Sequence, residues 1–232
     1  LDLFFYQYAE GSSYNKLLEI HNPTESEIDL SGYAFPNQNN GADSAESFDY
    51  WNSFPAGAVI APGGNFIIAH PDADPAIVAV ADHFHKYLSN GDDAYALVKG
   101  TKESYEVIDV IGDIAGDDPG SGWSVAGVSN ATKDHTLTRK SIINRGNTDW
   151  MASAGTNPDD SEWVILDKDV WDGIESIPTI SVTREVDGAI KIEFEGKLQS
   201  SANTTGPWED IDANSPTSIT ADEARQFYRA RN

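Results

Sequence analysis

No cysteine occurs among the 232 residues. That excludes a disulfide framework and any thiolate metal site, and it suits the cytosol or a bacterial exterior equally. Long apolar runs are missing as well: none approaches the roughly 20 residues that a spanning helix needs, so no membrane insertion is expected. Basic residues are scarce, 15 against 38 acidic ones, for a formal net charge of −23. Such a surface repels phosphate backbones, which argues against nucleic acid as a partner. There is no HExxH, no Gly-rich phosphate loop and no GxSxG elbow, and nothing marks a Ser-His-Asp triad. We therefore expect no catalytic residues, no enzyme activity and no certain cofactor.

The acidity is uneven. Residues 177–232 hold 9 acids and 6 bases, so 29 acids and 9 bases belong to the first 176. That excess either solvates the surface or offers carboxylates to cations such as calcium. The chain starts at Leu1, without Met, from which we expect a removed leader or upstream segment and hence a secreted or cell-surface, extracellular location.

What is present is a succession of short alternating or apolar runs bounded by Gly, Pro, Asn and Asp: Leu3–Tyr8, Lys16–Ile20, Ile28–Tyr33, Asn65–Ala69, Ala94–Val98, Val107–Ile111 and Thr136–Arg139. This spacing predicts an all-β sandwich. One stretch departs from it. From Asp74 to Leu88, Pro75 suits a first helical position, and Ile77, Val80, Ala81, Phe84 and Leu88 follow at helical spacing, which predicts one short helix over an end of the sandwich. Beyond Trp171-Asp172-Gly173 a new alternating run begins, with Asp187-Gly188 as a two-residue hairpin signal. Two domains are expected, residues 1–176 and residues 177–232, the second a small antiparallel β domain that would be only marginally stable alone.

The stretch Glu10-Gly11-Ser12-Ser13-Tyr14-Asn15-Lys16, then Leu18-Glu19-Ile20, Asn22-Pro23 and Asp29-Leu30-Ser31-Gly32-Tyr33 resembles a bacterial lamin tail domain. Later blocks follow in the same order: Ile60-Ala61-Pro62-Gly63, Asn90-Gly91-Asp92-Asp93-Ala94, Val107–Gly112, Asp118-Pro119-Gly120-Ser121-Gly122-Trp123, His135–Lys140, Ser161-Glu162-Trp163 and Trp171-Asp172-Gly173. The likeness spans roughly residues 1–174. It implies an immunoglobulin-like β-sandwich without a shared active site, of the kind that accompanies secreted nucleases and other hydrolases as a non-catalytic module. Residues 177–232 are similar, more loosely, to short β modules that end many secreted bacterial proteins; the Leu198-Gln199-Ser200, Gly206-Pro207-Trp208 and Phe227-Tyr228-Arg229 segments carry that likeness.

Three groups of residues invite a ligand. Asp113, Asp117 and Asp118 lie among glycines, where they could supply oxygens to calcium or simply cap turns. Tyr50 and Trp51 sit in a polar, Asn-rich insertion with Phe48 and Phe54, placed either to stack on a glycan or to pack against the sandwich end. His83 and His85 would diverge on a helix and so could not share a metal there, although on a strand they could; the segment reads as a helix end, so they are read as surface residues, and His135 as structural. Asp167–Gly173 imitates an EF-hand loop, but its third Asp comes one position late and no Glu closes it. The function expected from all this is an extracellular structural or interaction module with protein subunits or surface polymers as partners, capable of self-assembly through β edges. The alternative is an accessory glycan- or calcium-binding module of a secreted nuclease or hydrolase.

Overall fold

The computed structural model describes residues 1–41, 48–174, 180–185, 189–194, 196–219 and 226–231. Two units result, Leu1–Ile174 and Glu175–Asn232. The predicted boundary at 176/177 and the Asp187-Gly188 turn lie outside the described residues.

In the first unit the elements are β1 Phe4–Glu10, β2 Lys16–His21, β3 Ile28–Asp29, β4 Tyr33–Ala34, β5 Asn37–Gln38, β6 Val59–Ile60, β7 Asn65–Ala69, α1 Pro75–Val80, β8 His83–Phe84, β9 Ala94–Thr101, β10 Ser104–Ile111, β11 His135–Arg139, α2 Trp150–Ala154 and β12 Trp163–Asp167. One sheet has six strands in the order β12-β11-β1-β2-β7-β8; the facing sheet runs β10-β9-β4, with β5 also on β9. All pairings are antiparallel except β7 with β8. Tyr8, Leu18, Ile20, Ile68 and Leu137 from the first sheet meet Ala34, Tyr95, Leu97, Val110 and Ile111 from the second in one core.

Leu17 and Leu18 are both buried although neighbours on a strand point to opposite faces. The outer face of the six-stranded sheet is covered too: Leu17, Ala9 and Ala69 pack against Ala76 and Ile77 of α1 and against Ile174, with Trp171 beside them. Trp171-Asp172-Gly173 thus forms a strap. The Asp172 N–H donates to Gln7 Oε1 at 2.7 Å, and Gln7 Nε2 donates to the Asp172 carbonyl at 3.2 Å and to Glu19 at 2.7 Å. Under this cover, burial pushes the Glu19 carboxyl up.

The helix expected over Asp74–Leu88 is shorter than its periodicity suggests. Asp74 caps it by accepting from the Ala76 N–H, and Pro75 opens it. It stops at Val80, because Ala81 is extended and Asp82 turns the chain onto β7: the Asp82 N–H donates to the Ile67 carbonyl at 2.9 Å, and its carboxylate accepts from the Ile67 N–H at 2.8 Å. The competing interaction is a parallel pairing that no local pattern announces. His83 and Phe84 are therefore strand residues, which corrects the helix-end reading of His83 and His85.

Arg139, wholly buried, ties the sandwich together. Its guanidinium donates to Asp109 at 2.6 Å, to Ser153 Oγ at 3.0 Å, to the Phe5 carbonyl at 3.2 Å and to Glu162, and it lies 4.1 Å over the Trp163 ring. Burial pushes the Asp109 carboxyl up, while Arg139 and the backbone N–H groups of Asn147, Phe5 and Val110 counter it.

The second unit holds β13 Ile180–Arg184, β14 Ile190–Phe194, β15 Lys197–Ser201, β16 Glu209–Ile211, β17 Thr217–Ile219 and β18 Phe227–Arg231. They form two three-stranded sheets, β13-β14-β17 and β16-β15-β18, over a small core of Ile192, Phe194 and Leu198. Arg229 lies 4.4 Å over the Trp208 ring and donates to Gln199 at 2.8 Å. This is what the Gly-Pro-Trp and Phe-Tyr-Arg segments do.

Candidate functional site

The β1–β2 turn is fastened by side-chain bonds from distant segments of the first unit. Gly11 can only be glycine here, since a Cβ would come within 2.4 Å of the Asp169 carboxylate and 2.8 Å of the Asn15 carbonyl. Asp169 accepts from the Ser12 N–H at 2.9 Å, from Ser12 Oγ at 2.6 Å and from Asn15 Nδ2 at 2.9 Å, and Asn15 Oδ1 accepts from the Asp74 N–H at 2.8 Å. The pseudo-EF-hand residue Asp169 is thus a clamp on this turn, and these bonds hold its carboxyl below the usual carboxylate range against the upward push of burial.

So fixed, the turn lays Tyr14 flat on His70, ring centroids 4.3 Å apart and 11° from parallel. His70 is itself buried and hydrogen-bonded. Its Nδ1 accepts from the Asp72 N–H at 3.1 Å, and its ring also engages the backbone of Lys86; burial lowers its pKa, which favours the neutral ring. Tyr14 remains 52% exposed.

This platform forms one wall of a cleft of about 650 Å³, a size in the range of small-molecule sites. Further lining comes from the segment around β5. Tyr50 is 56% exposed there, and its backbone pairs with Asn37 in both directions. In the same segment runs a chain of amides: Asn52 Nδ2 donates to Asn37 Oδ1 at 2.9 Å, and Asn37 Nδ2 donates to Asn39 Oδ1 at 2.7 Å. Asn39 Nδ2 and Asn52 Oδ1 have no partner among the described residues. The segment after β8 completes the cleft with His85, Lys86 and Tyr87. His85 packs edge-on against Phe35 and Tyr87, and burial followed by the neighbouring His83 lowers its pKa.

Charge inside the cleft is largely spent. The Lys16 ammonium donates to the Ser89 carbonyl at 2.7 Å and to Asn90 Oδ1 at 2.6 Å, and stands 3.4 Å from Glu10. Burial pushes the Asp93 carboxyl up, and it accepts from the Asn40 N–H at 3.2 Å. Among the described residues neither cleft histidine is hydrogen-bonded to a hydroxyl nucleophile or a carboxylate. The arrangement offers aromatic faces and amides to a ligand, and among its described residues no acid–base pair is formed.

The residues singled out in the sequence separate. Tyr50 lines the cleft, whereas Trp51 leaves it to pack 5.3 Å from the Tyr105 ring, where Phe48 also lies at 5.8 Å. Asp113 and Asp118 each accept from a backbone N–H two residues on, from Ala115 at 3.0 Å and Gly120 at 2.7 Å, while Asp117 and Asp118 back onto Gly41. Among the described residues no three carboxylate or histidine groups, these included, gather into a metal site. His135 bonds the Lys133 carbonyl on the sandwich surface. Sequence reasoning missed Tyr14, His70 and Tyr87. The signal for Tyr14 was available: an aromatic at the tip of a Gly-Ser-Ser-Tyr turn has no strand face to hide in.

Residues 1–114 match the family model described as Lamin Tail Domain. This half of the chain belongs to the lamin tail domain family. The lamin tail domain is a non-enzymatic, immunoglobulin-like β-sandwich module, and the sheets of the first unit accord with it. The match ends just after β10, so β11, α2 and β12, which supply a third of the six-stranded sheet, stand outside the matched residues although they belong to the same unit. No curated protein and no solved structure matches the chain.

Proposed function

We propose that this protein is a non-catalytic interaction module that works outside the cell, holding protein subunits or surface polymers through the tyrosine-lined cleft and the open sheet edges. What supports the reading above all is the contrast between its two kinds of polar group. The buried ionisable side chains Arg139, Asp109, Glu19 and Lys16 are each bound within the sandwich. The exposed aromatic rings of Tyr14, Tyr50 and Tyr87 instead surround a preformed concavity, and rigid aromatic surface of this kind is what recognition sites expose.

The edges offer a second contact route. β12 closes one side of the six-stranded sheet, with Val164 45% exposed, and the first half of β10 is open on the facing sheet. The second half of β10 is screened, since Gly146 lies against the Ile108 carbonyl and Asp109. Strand edges accept another chain by main-chain pairing.

The test is twofold. Purified full-length chain is assayed against chromogenic phosphoester, carboxyl-ester and glycoside substrates with and without divalent cations, and no turnover is expected. Light scattering across protein concentration then reads self-association, expected to grow with concentration and to fall when Val164→Lys places a charge on the β12 edge. Turnover that survives repeated purification would overturn the proposal.

A further inference from the structure

We infer that the cleft between Tyr14 and Tyr50 is a subsite for a short segment of neutral polysaccharide, of two to three hexopyranose units, an inference that rests on the interaction-module reading above. Hexopyranoses have two faces of different chemistry. Their axial C–H groups make an apolar surface with slightly positive hydrogens, which suits the electron-rich face of an aromatic ring, while their equatorial hydroxyls need paired donors and acceptors at the ring edge. The cleft supplies both. Tyr14 is a platform whose orientation is set before any ligand arrives, because one face lies 4.3 Å from His70 and the turn bearing it is bound to Asp169 and Asp74. Such preorganisation removes an ordering cost from binding.

Elsewhere in the lining, Asn39 Nδ2 and Asn52 Oδ1 are a donor and an acceptor without partners among the described residues, fixed in place by their bonds through Asn37. Paired amides can each give to and accept from vicinal hydroxyls. The volume of about 650 Å³ limits the segment to a few sugar units.

Charge decides between neutral and anionic sugars. Lys16 is bound to Ser89, Asn90 and Glu10, Asp93 lies in the lining, and the chain as a whole carries −23. An anionic polymer would be repelled at long range, with Lys86, among the described lining residues, left to hold it.

The test uses the full chain in calorimetry and ¹⁵N–¹H NMR titrations against di- to hexasaccharides of neutral glucose, mannose, galactose and N-acetylglucosamine polymers, with oligogalacturonate as the anionic arm. At least one neutral series should bind at a single site, tightening from the disaccharide to the trisaccharide and levelling off beyond. Tyr14→Ala should weaken it at least tenfold and Asn52→Leu about as much, while Met151→Ser, on exposed α2, leaves it unchanged. Because Tyr14→Ala could loosen the turn, Tyr87→Ala, at a 76% exposed ring, serves as the second variant and should weaken binding without moving the thermal midpoint. Absence of binding by every neutral series, binding indifferent to Tyr14 and Tyr87, or preference for oligogalacturonate would each overturn the inference. A Tyr14-dependent peptide from a displayed random library, found where no sugar binds, would overturn the glycan assignment while leaving the interaction module standing; turnover of a bound oligosaccharide would overturn the module itself.

Discussion

Arg139 shows how a single residue can hold a sandwich together without contributing to a site. Its guanidinium reaches both sheets through Asp109 and Phe5, and it bears on α2 through Ser153. The desolvation of such an ion pair roughly offsets its attraction, so the pair itself is weak evidence of stability; removal of one partner is another matter, since it strands a buried charge. Arg139→Met is therefore expected to cost about 3–5 kcal/mol, read as a shift in urea midpoint at constant slope. Adding Asp109→Asn removes the stranded charge, so the double variant should be more stable than the single one. A single variant within about 1 kcal/mol of the parent, a typical value for an exposed pair, would show that Asp109 finds another partner or water.

At the scale of elements, the histidines beside β7 and β8 make stability depend on pH. His70, His83 and His85 all have pKa values lowered by burial, with His83 acting additionally on His85. A base that is harder to protonate in the folded state than in the unfolded one stabilises the fold above its unfolded pKa, about 6.5, and that contribution is lost as pH falls from there through the lowered folded value. Glu19 and Asp93 act in the opposite sense, because burial raises their pKa values and their contribution is largest in acid. The histidine effect is thus best read between pH 7.5 and 5.5, where the thermal midpoint should drop. His70→Gln and His85→Gln should each flatten that slope; an equal slope in parent and variants would assign the drop to other groups. The same elements show what a sequence can and cannot disclose. Leu18-Glu19-Ile20 and Val107–Ile111 announced strands because their neighbours alternate or cluster locally. The end of α1 did not, because Asp82 is recruited by Ile67, fifteen residues away, and helical spacing through Phe84 and Leu88 is compatible with either outcome. Tyr50 was legible as an unusual exposed aromatic, but its partnership with Tyr14 and Tyr87 depends on three loops converging, which no spacing encodes.

At the scale of the whole molecule, the net charge of −23 is the dominant electrostatic fact. Like charges spread over a surface disfavour the compact state, and salt shortens their reach to about 8 Å at physiological ionic strength. Raising NaCl from 10 mM to 0.5 M should therefore raise the thermal midpoint of the first unit, which carries most of the acids, by a few degrees, about what 1 kcal/mol produces in a domain of this size. Calcium separates two meanings of the same acidity. If the carboxylates act only as a diffuse cloud, CaCl₂ and MgCl₂ at matched ionic strength should shift the midpoint alike and without saturation. A discrete site would instead add a saturable increment for calcium that follows mass action. The Asp113 and Asp118 carboxylates already serve the Ala115 and Gly120 N–H groups of their own turns, so the diffuse response is expected. A saturable calcium increment abolished by Asp113→Asn or Asp118→Asn would show that those turns open to take an ion.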